Sequence, residues 1–385
     1  MTHHFSFTTT KTLVNAAGSL ANLADHCRQL GVSRPLIVTD QGIVQVGLLE
    51  QLNNALSDQN LEISVYDQVI ADPPEAIVEE ALSQAKAHQS DGVIGFGGGS
   101  SMDTAKVIAL LSKSGETLEQ VYGVEQAKGP RLPLILIPTT AGTGSEVTAV
   151  AIITTGETTK SGIVSPLLLP DVALLDAELT LGLPPHVTAA TGIDAMVHAI
   201  EAYTSVHKKN PYSDMLAREA LTLMSANIEN AVANGQDLEA RQNMLFGACL
   251  AGQAFANAPV AAVHALAYPL GGHFHIPHGL SNSLVLPHVM RFNAPEASHW
   301  YAELCDLMLP DNQAKTAADK TQLLIDYLEQ LIQRLGLPTR LRDAKVTENS
   351  LATLASDAML QQRLLINNPR SVSESDALAI YQAAF

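Results

Sequence analysis

The rhythm of apolar and polar positions changes near residue 183. Before it, short apolar runs ending in Asp, Gly or Thr alternate with segments at helical spacing. They are "RPLIVTD" and a helix from Gln41, "EISVYDQV" and a helix through "EAIVEEALSQAKAH", "GVIGFGGG" and a helix after Ser101, then "LPLILIPTT". This alternation predicts a parallel sheet with crossover helices, an α/β fold. After it come long Ala/Leu-rich segments: "LPPHVTAATGIDAMVHAIEAYTS", "SDMLAREALTLMSANIENAVANG", "ARQNMLFGACLAGQAFANA" and "KTQLLIDYLEQLIQRLG". Their spacing predicts an all-helical half. The pattern breaks at Leu183 and Pro184 in "LTLGLPP", so the expectation is an α/β domain over 1–183 and a helical domain over 184–385. A chain of 385 residues also exceeds the usual size of a single core.

Composition narrows the class. The chain is 46% hydrophobic, yet its apolar runs, such as "PLILI" and "LLLPDVALL", are too short or too broken by Pro and Asp to span a bilayer. The start, "MTHHFSFTTTK", lacks a basic region followed by an apolar core, so no secretory signal is expected and the cytoplasm is the expected address. Cys27, Cys249 and Cys305 are odd in number and widely separated, which predicts reduced core thiols rather than a disulfide framework. A net charge of −17, with 39 acidic against 22 basic residues, argues against nucleic acid as a partner.

In "GVIGFGGGSSMDTAK" an apolar strand runs into Gly97, Gly98 and Gly99, with a helix opening at Ser100 and Ser101 and Asp103 placed for a capping box. Glycines let backbone approach a phosphate, and a helix N-terminus offers free N–H donors. The dinucleotide fingerprint is imperfect, because Gly95-x-Gly97-x-x-Ser100 replaces its last glycine, and a plain tight turn would account for the same cluster. Asp40 ends the strand "PLIVTD", where a carboxylate would bond the adenosine ribose and repel a 2′-phosphate, favouring NAD; it also suits a simple helix N-cap. "PTTAGTGSEVT" closes another strand with Thr139, Thr140, Gly142, Thr143 and Gly144, either a nucleotide contact or a polar turn.

Asp194 and His198 lie four apart in "TGIDAMVHAI" and so share one helix face. A buried hydrogen-bonded pair would explain them as well as a metal would. A second apolar stretch, "VHALAYPLGGHFHIPHGLSN", offers His264 in a helical segment, His273, His275, and His278 in a Pro-Gly turn. Two such stretches favour a metal over coincidental core histidines, and oxygen and imidazole without thiolate suit Fe²⁺ or Zn²⁺.

Over nearly its whole length, through "GGGSSMDTAK", "PTTAGTGSEVT", "LLPDVALLD", "GIDAMVHAIEAY" and "HALAYPLGGHFHIPHGLSNSLVLPHVMRFN", the chain resembles the iron-containing, or group III, alcohol dehydrogenases. The resemblance implies a Rossmann-like N-terminal nucleotide-binding domain, a helical C-terminal domain of the dehydroquinate synthase type, and a metal in the cleft between them. By motif it makes Asp194, His198, His264 and His278 the ligands, leaves His273 and His275 outside, and places Asp40, the Gly97 to Ser101 turn, Thr139, Thr140 and Lys160 around NAD. Without it, Lys160 after "TTGETT" reads as a solvated turn residue. Two positions depart from lactaldehyde reductase-like members: Tyr268 stands where they carry a second His near the nicotinamide, and Asp72 where they often have Asn.

The implied activity is hydride transfer between a small alcohol or diol and NAD⁺, or the reverse on an aldehyde, with the metal as Lewis acid. Tyr268, one turn after His264 if the helix continues, would contact substrate or nicotinamide or form a pocket wall. The alternatives are a dehydroquinate synthase-type lyase, a glycerol dehydrogenase-like enzyme on the same fold, and a binding protein without turnover. The lyase would need Lys and Arg for an anionic sugar acid, and the segments expected at the cleft are poor in both. A homodimer is expected, through an N-terminal edge strand around "KTLVNAAG".

Overall fold

The computed structural model describes residues 4–57, 61–156 and 159–385. Met1 to His3 of the opening stretch, and Glu157 and Thr158 of "TTGETT", lie outside the described residues. The chain forms two compact units, Thr8–Gly182, and Leu183–Phe385 together with the N-terminal segment up to Phe7.

The Thr8–Gly182 unit contains strands β1 (Thr12–Asn15), β2 (Pro35–Asp40), β3 (Ser64–Val69), β4 (Gly92–Gly97), β5 (Gly123–Val124), β6 (Leu134–Pro138), β7 (Val150–Thr155), β8 (Thr159–Val164) and β9 (Val172–Leu175). Six of them make one sheet in the order β1-β9-β6-β4-β2-β3, and every pairing in it is parallel. Both faces are covered. Ile37, Ile94, Phe96, Ile135, Ile137 and Leu174 join one core cluster, while Leu36, Val38, Val93, Leu134 and Leu136 join another with Met102, Ala105 and Ile108 of the helix Gly99–Ser114. Burial on both sides explains why the central strands read as unbroken apolar runs.

From β2 the chain proceeds to β3 at one edge, and from β4 it proceeds through β6 and β9 toward the other. The order in which strands are added therefore reverses between β2 and β4, and in open α/β sheets ligands bind at the carboxyl ends of strands at such a point. β1 lies at the edge beside β9, as expected for the strand around "KTLVNAAG". The small sheet β5-β8-β7 was not anticipated: β7 and β8 form an antiparallel hairpin, and Lys160 sits on β8 opposite Thr154 rather than in a turn.

In the second unit the long helices are Pro185–Thr204, Pro211–Ala233, Leu238–Asn257, Ala262–Phe274, His278–Met308 and Ala317–Arg334, with no strand among the described residues. Their starts follow capping chemistry. Asn210 and Asp237 accept bonds from Ser213 N and Ala240 N, and Pro185 and Pro211 occupy first positions where a missing N–H costs nothing. Pro269 inside the helix Ala262–Phe274 frees a carbonyl in the preceding turn. Near it, Tyr381 Oη donates to Leu266 O at 2.6 Å, tying that helix to the C-terminal helix Glu374–Ala384. No single helix among the described residues is long and apolar enough to cross a membrane.

Candidate metal centre and nucleotide turn

Three helices of the second unit supply four side chains to one point. Asp194 and His198 come from the middle of Pro185–Thr204, His264 from the first turn of Ala262–Phe274, and His278 from the first position of His278–Met308, whose N-cap is Pro277. The Pro-Gly turn expected at His278 is thus a helix start. Gly279 makes the approach possible: a Cβ there would lie 2.4 Å from Ala190 O, on the helix that carries Asp194. Only glycine lets the two backbones come this close.

Asp194 Oδ1 lies 4.0 Å from His198 Nε2, 4.0 Å from His264 Nε2 and 3.7 Å from His278 Nε2. One donor atom from each of the four lies within 4.8 Å of the others. Four donors bound at about 2.0–2.3 Å around one ion sit roughly 3.3–3.8 Å apart, so the group suits a divalent cation once its donors draw in by a few tenths of an ångström to about 1 Å. Asp194, His198 and His264 are buried and His278 is half-buried. Burial works to raise the Asp194 carboxyl, but His198, His278 and His264, with a hydrogen bond from Asn282, bring it below its ordinary value. Phe255 stacks on His198 at 4.4 Å, and His198 on His264 at 4.7 Å.

Two neighbours escaped the sequence reading. Glu201 Oε2 meets His264 Nδ1 at 2.6 Å and Oε1 accepts from Val263 N at 2.7 Å. Asn282 Nδ2 donates to Asp194 Oδ1 at 2.5 Å and lies 3.2 and 3.3 Å from His264 Nε2 and His278 Nε2, while its buried Oδ1 has no hydrogen-bond partner. Spacing held the signal for both. Glu201 follows Asp194 by seven and Asn282 follows His278 by four, each on the same helical face. Tyr268 lies one turn after His264, since the helix does continue, with its ring 5.9 Å from that of His278. His273 instead pairs with Asp357 at 2.6 Å, and His275 ends the helix in the left-handed region.

In the α/β unit the residues expected at a nucleotide, except Lys160 on β8, lie at the carboxyl ends of β2, β4 and β6, around the reversal point. Ser101 Oγ donates to Asp40 Oδ2 at 3.1 Å, and Thr139 N donates to Gly97 O at 3.0 Å. A Cβ on Gly97, whose φ is +148°, would stand 2.8 Å from Ser101 Oγ, and one on Gly99 2.9 Å from Thr143 Cγ2; Thr140 is the nearest neighbour of Gly98. The N-cap of the helix is Gly98, not Ser100, and it supplies no capping side chain, so the first-turn N–H groups are available to an anion. This cradle fits a dinucleotide pyrophosphate.

The capping box read into Ser100 and Asp103 does not form. Asp103 is turned inward, accepting from Ser145 Oγ at 2.6 Å and Ile152 N at 2.9 Å. Lys106, fully buried, donates to Ser145 Oγ, Thr148 Oγ1 and the Val150 carbonyl. Together they fasten the Thr139 to Ser145 loop to the glycine-turn helix. Asp40 does cap the helix Gln41–Gln45 through Ile43 N, while its second oxygen takes Ser101. Lys160 pairs with Asp72, itself in the left-handed region, at 2.5 Å.

Comparison with known proteins follows the same division. Residues 10–177 match the family model for iron-containing alcohol dehydrogenases, and residues 188–385 match the C-terminal model of the Fe-containing alcohol dehydrogenase family. Long-chain-alcohol dehydrogenase 1 of Geobacillus thermodenitrificans is 41% identical over 371 residues, 96% of this chain and 93% of its own. A crystal structure of 1,3-propanediol oxidoreductase superposes over both whole chains with a TM-score of 0.96 at 34% identity. A sulfoacetaldehyde reductase from Bifidobacterium kashiwanohense in complex with NAD⁺ superposes with a TM-score of 0.89 at 28% identity, covering 100% of this chain and 99% of its own.

Proposed function

This chain belongs to the iron-containing alcohol dehydrogenase family, an oxidoreductase family, and from that premise we propose that it interconverts a small alcohol or diol and its aldehyde with NAD(H). The observation that carries the reading is the convergence of Asp194, His198, His264 and His278, one carboxylate among three imidazoles. These four would hold the divalent cation, with Fe²⁺ as the native ion and Zn²⁺ as a competent substitute. When bound, the ion supplies Lewis acidity at the substrate oxygen, and NAD⁺ supplies the hydride acceptor.

The chain's own residues do the rest. Asp194 brings the one formal negative charge among the four ligands. Gly97 to Ser101 receive the pyrophosphate on backbone N–H groups at the helix start, and Asp103 holds the neighbouring loop with Thr139, Thr140 and Thr143 in register. Asp40 turns its carboxylate toward the adenosine ribose and repels a 2′-phosphate. Lys160, already bonded to Asp72, contacts the cofactor, and Tyr268 walls the substrate pocket near His278. The α/β unit thus serves as the NAD domain and the helical unit as the metal-binding, catalytic one. A cytoplasmic homodimer completes the reading, supported by the half-exposed edge strand β1 and three buried cysteines that form no disulfide.

The lyase alternative is not favoured, since the relatives above are dehydrogenases and reductases. The test is NADH formation from primary alcohols and diols, and NADH consumption by the matching aldehydes, by protein reconstituted with Fe²⁺ or Zn²⁺. Absence of any cofactor turnover across that panel by metal-loaded protein would overturn the proposal.

A further inference from the structure

Glu201 stands three residues after His198 on the same helix, and it is 4% exposed. Its two oxygens have separate duties. Val263 N–H can only donate, and it takes Oε1 at 2.7 Å; Oε2 is left facing His264 Nδ1 at 2.6 Å. We propose that Glu201 is the positioning residue of the metal centre, holding His264 as the Nδ1–H tautomer so that its Nε2 lone pair is presented to the ion. This rests on reading the four-residue group as a metal site.

The chemistry runs through one proton. A neutral imidazole carries a single N–H, and the nitrogen that lacks it is the one able to bind a cation. With a carboxylate oxygen 2.6 Å from Nδ1, the proton sits there, and Nε2, 4.0 Å from Asp194 Oδ1 and 3.2 Å from Asn282 Nδ2, carries its lone pair inside the cluster. Outer carboxylates of this kind both orient the ring and raise its basicity, and their loss typically weakens metal binding about 10- to 100-fold. A buried Glu–His pair with a purely architectural task would lack that link to the ion.

Glu201→Gln separates the two roles while preserving shape. The Gln oxygen must answer Val263 N–H, which turns its NH₂ toward His264 Nδ1 and drives the ring proton onto Nε2. The opposite amide orientation sets NH₂ against the Val263 N–H. That second orientation would keep Nδ1–H but leaves the Val263 N–H facing another donor, so the first prevails and the ligand nitrogen is compromised while the fold keeps its packing.

Metal-free wild type and Glu201→Gln are titrated with Co²⁺ against a chromophoric chelator, the Co²⁺ absorption bands are recorded, and His264 is observed by ¹⁵N NMR in metal-free protein. The expected result is a 10- to 100-fold weaker Co²⁺ affinity with altered bands in the variant, Nδ1–H in wild type, and unchanged NAD⁺ binding. Glu201→Asp, which keeps the charge but shortens the reach, falls between the two. Wild-type affinity and bands in Glu201→Gln, or an Nε2–H tautomer in metal-free wild type, would overturn the proposal. The NMR arm requires no variant, so a failure of Glu201→Gln to fold leaves it decisive. Failure of wild type itself to bind Co²⁺ would instead strike down the metal reading, and this proposal with it.

Discussion

The candidate metal centre and the candidate nucleotide turn are built from different materials. In the helical unit the chemistry sits on four side chains brought together by three helices. In the α/β unit it sits mainly on backbone, at glycines where a Cβ would collide with Ser101 or Thr143. A side-chain site fails when one ligand is removed, whatever replaces it. A backbone site fails when something is added.

His278→Ala breaks the comparison hardest. It should lose the ion and lower turnover by about three orders of magnitude, the several kcal/mol that a Lewis acid contributes. NAD⁺ affinity should stay put, because the glycine turn belongs to the other unit. Elemental analysis beside calorimetric NAD⁺ titration checks both, and loss of NAD⁺ binding in this variant would deny the two sites their independence.

Next is the clamp beneath the sheet. Asp171 accepts from Arg131 and Lys11, each at 2.6 Å, and from Leu134 N. Burial raises its carboxyl, but these partners bring it below the ordinary 3.8. A depressed folded-state value means stability that is present above about pH 4 and is lost as pH falls through the folded value. Asp171→Asn should cost on the order of 3 kcal/mol at pH 7, leaving the Arg131 cation without its carboxylate, and should flatten the loss below pH 4. Urea midpoints at pH 7 and pH 3 measure it; equal acid sensitivity in both proteins would refute the assignment.

Gly97→Ala probes the backbone site. With φ at +148° and Ser101 Oγ 2.8 Å from the new Cβ, strain of about 2 kcal/mol should weaken NAD⁺ roughly 30-fold. Metal content should be that of wild type. Asp40→Gly should narrow the preference for NAD over NADP about five- to tenfold, on the order of the 1 kcal/mol that two unit charges exchange at 4 Å in water. Its helix cap is a minor loss because Gly is an acceptable N-cap. Unaltered kcat/KM ratios for the two cofactors would reject Asp40 as the selector. The smallest effect belongs to His273→Ala: full metal occupancy, and less than about 1 kcal/mol of stability from its partly exposed pair with Asp357.

Much of this was legible in one dimension because the periods are local. The helix expected through "EAIVEEALSQAKAH" is Glu75–His88, and strands β2, β3, β4 and β6 stand where the apolar runs placed them. Asp194 and His198 were readable for the same reason, since four residues is one helical turn. The β7–β8 hairpin escaped because its half-buried residues alternate weakly around "TTGETT", and β9 because "PDVALL" is short. Ser100 and Asp103 misled: the box spacing was present, but the helix begins at Gly99, and Ser145 and Ile152 claim the carboxylate.

What the amino-acid order determined alone is whatever depends on neighbours within a few residues: the parallel sheet with its crossovers, the all-helical half, the glycine turn, and the pairing of Asp194 with His198 on one face. What tertiary structure decided is whatever depends on approach between distant segments. His264 and His278 join Asp194 because Gly279 lets a helix start press against Ala190 O. Glu201 becomes the partner of His264 only because the helix beginning at Ala262 places Val263 N and the imidazole side by side before its two oxygens. A carboxylate at position 201 is written in the chain; which proton it holds is set by contacts spanning more than 60 residues.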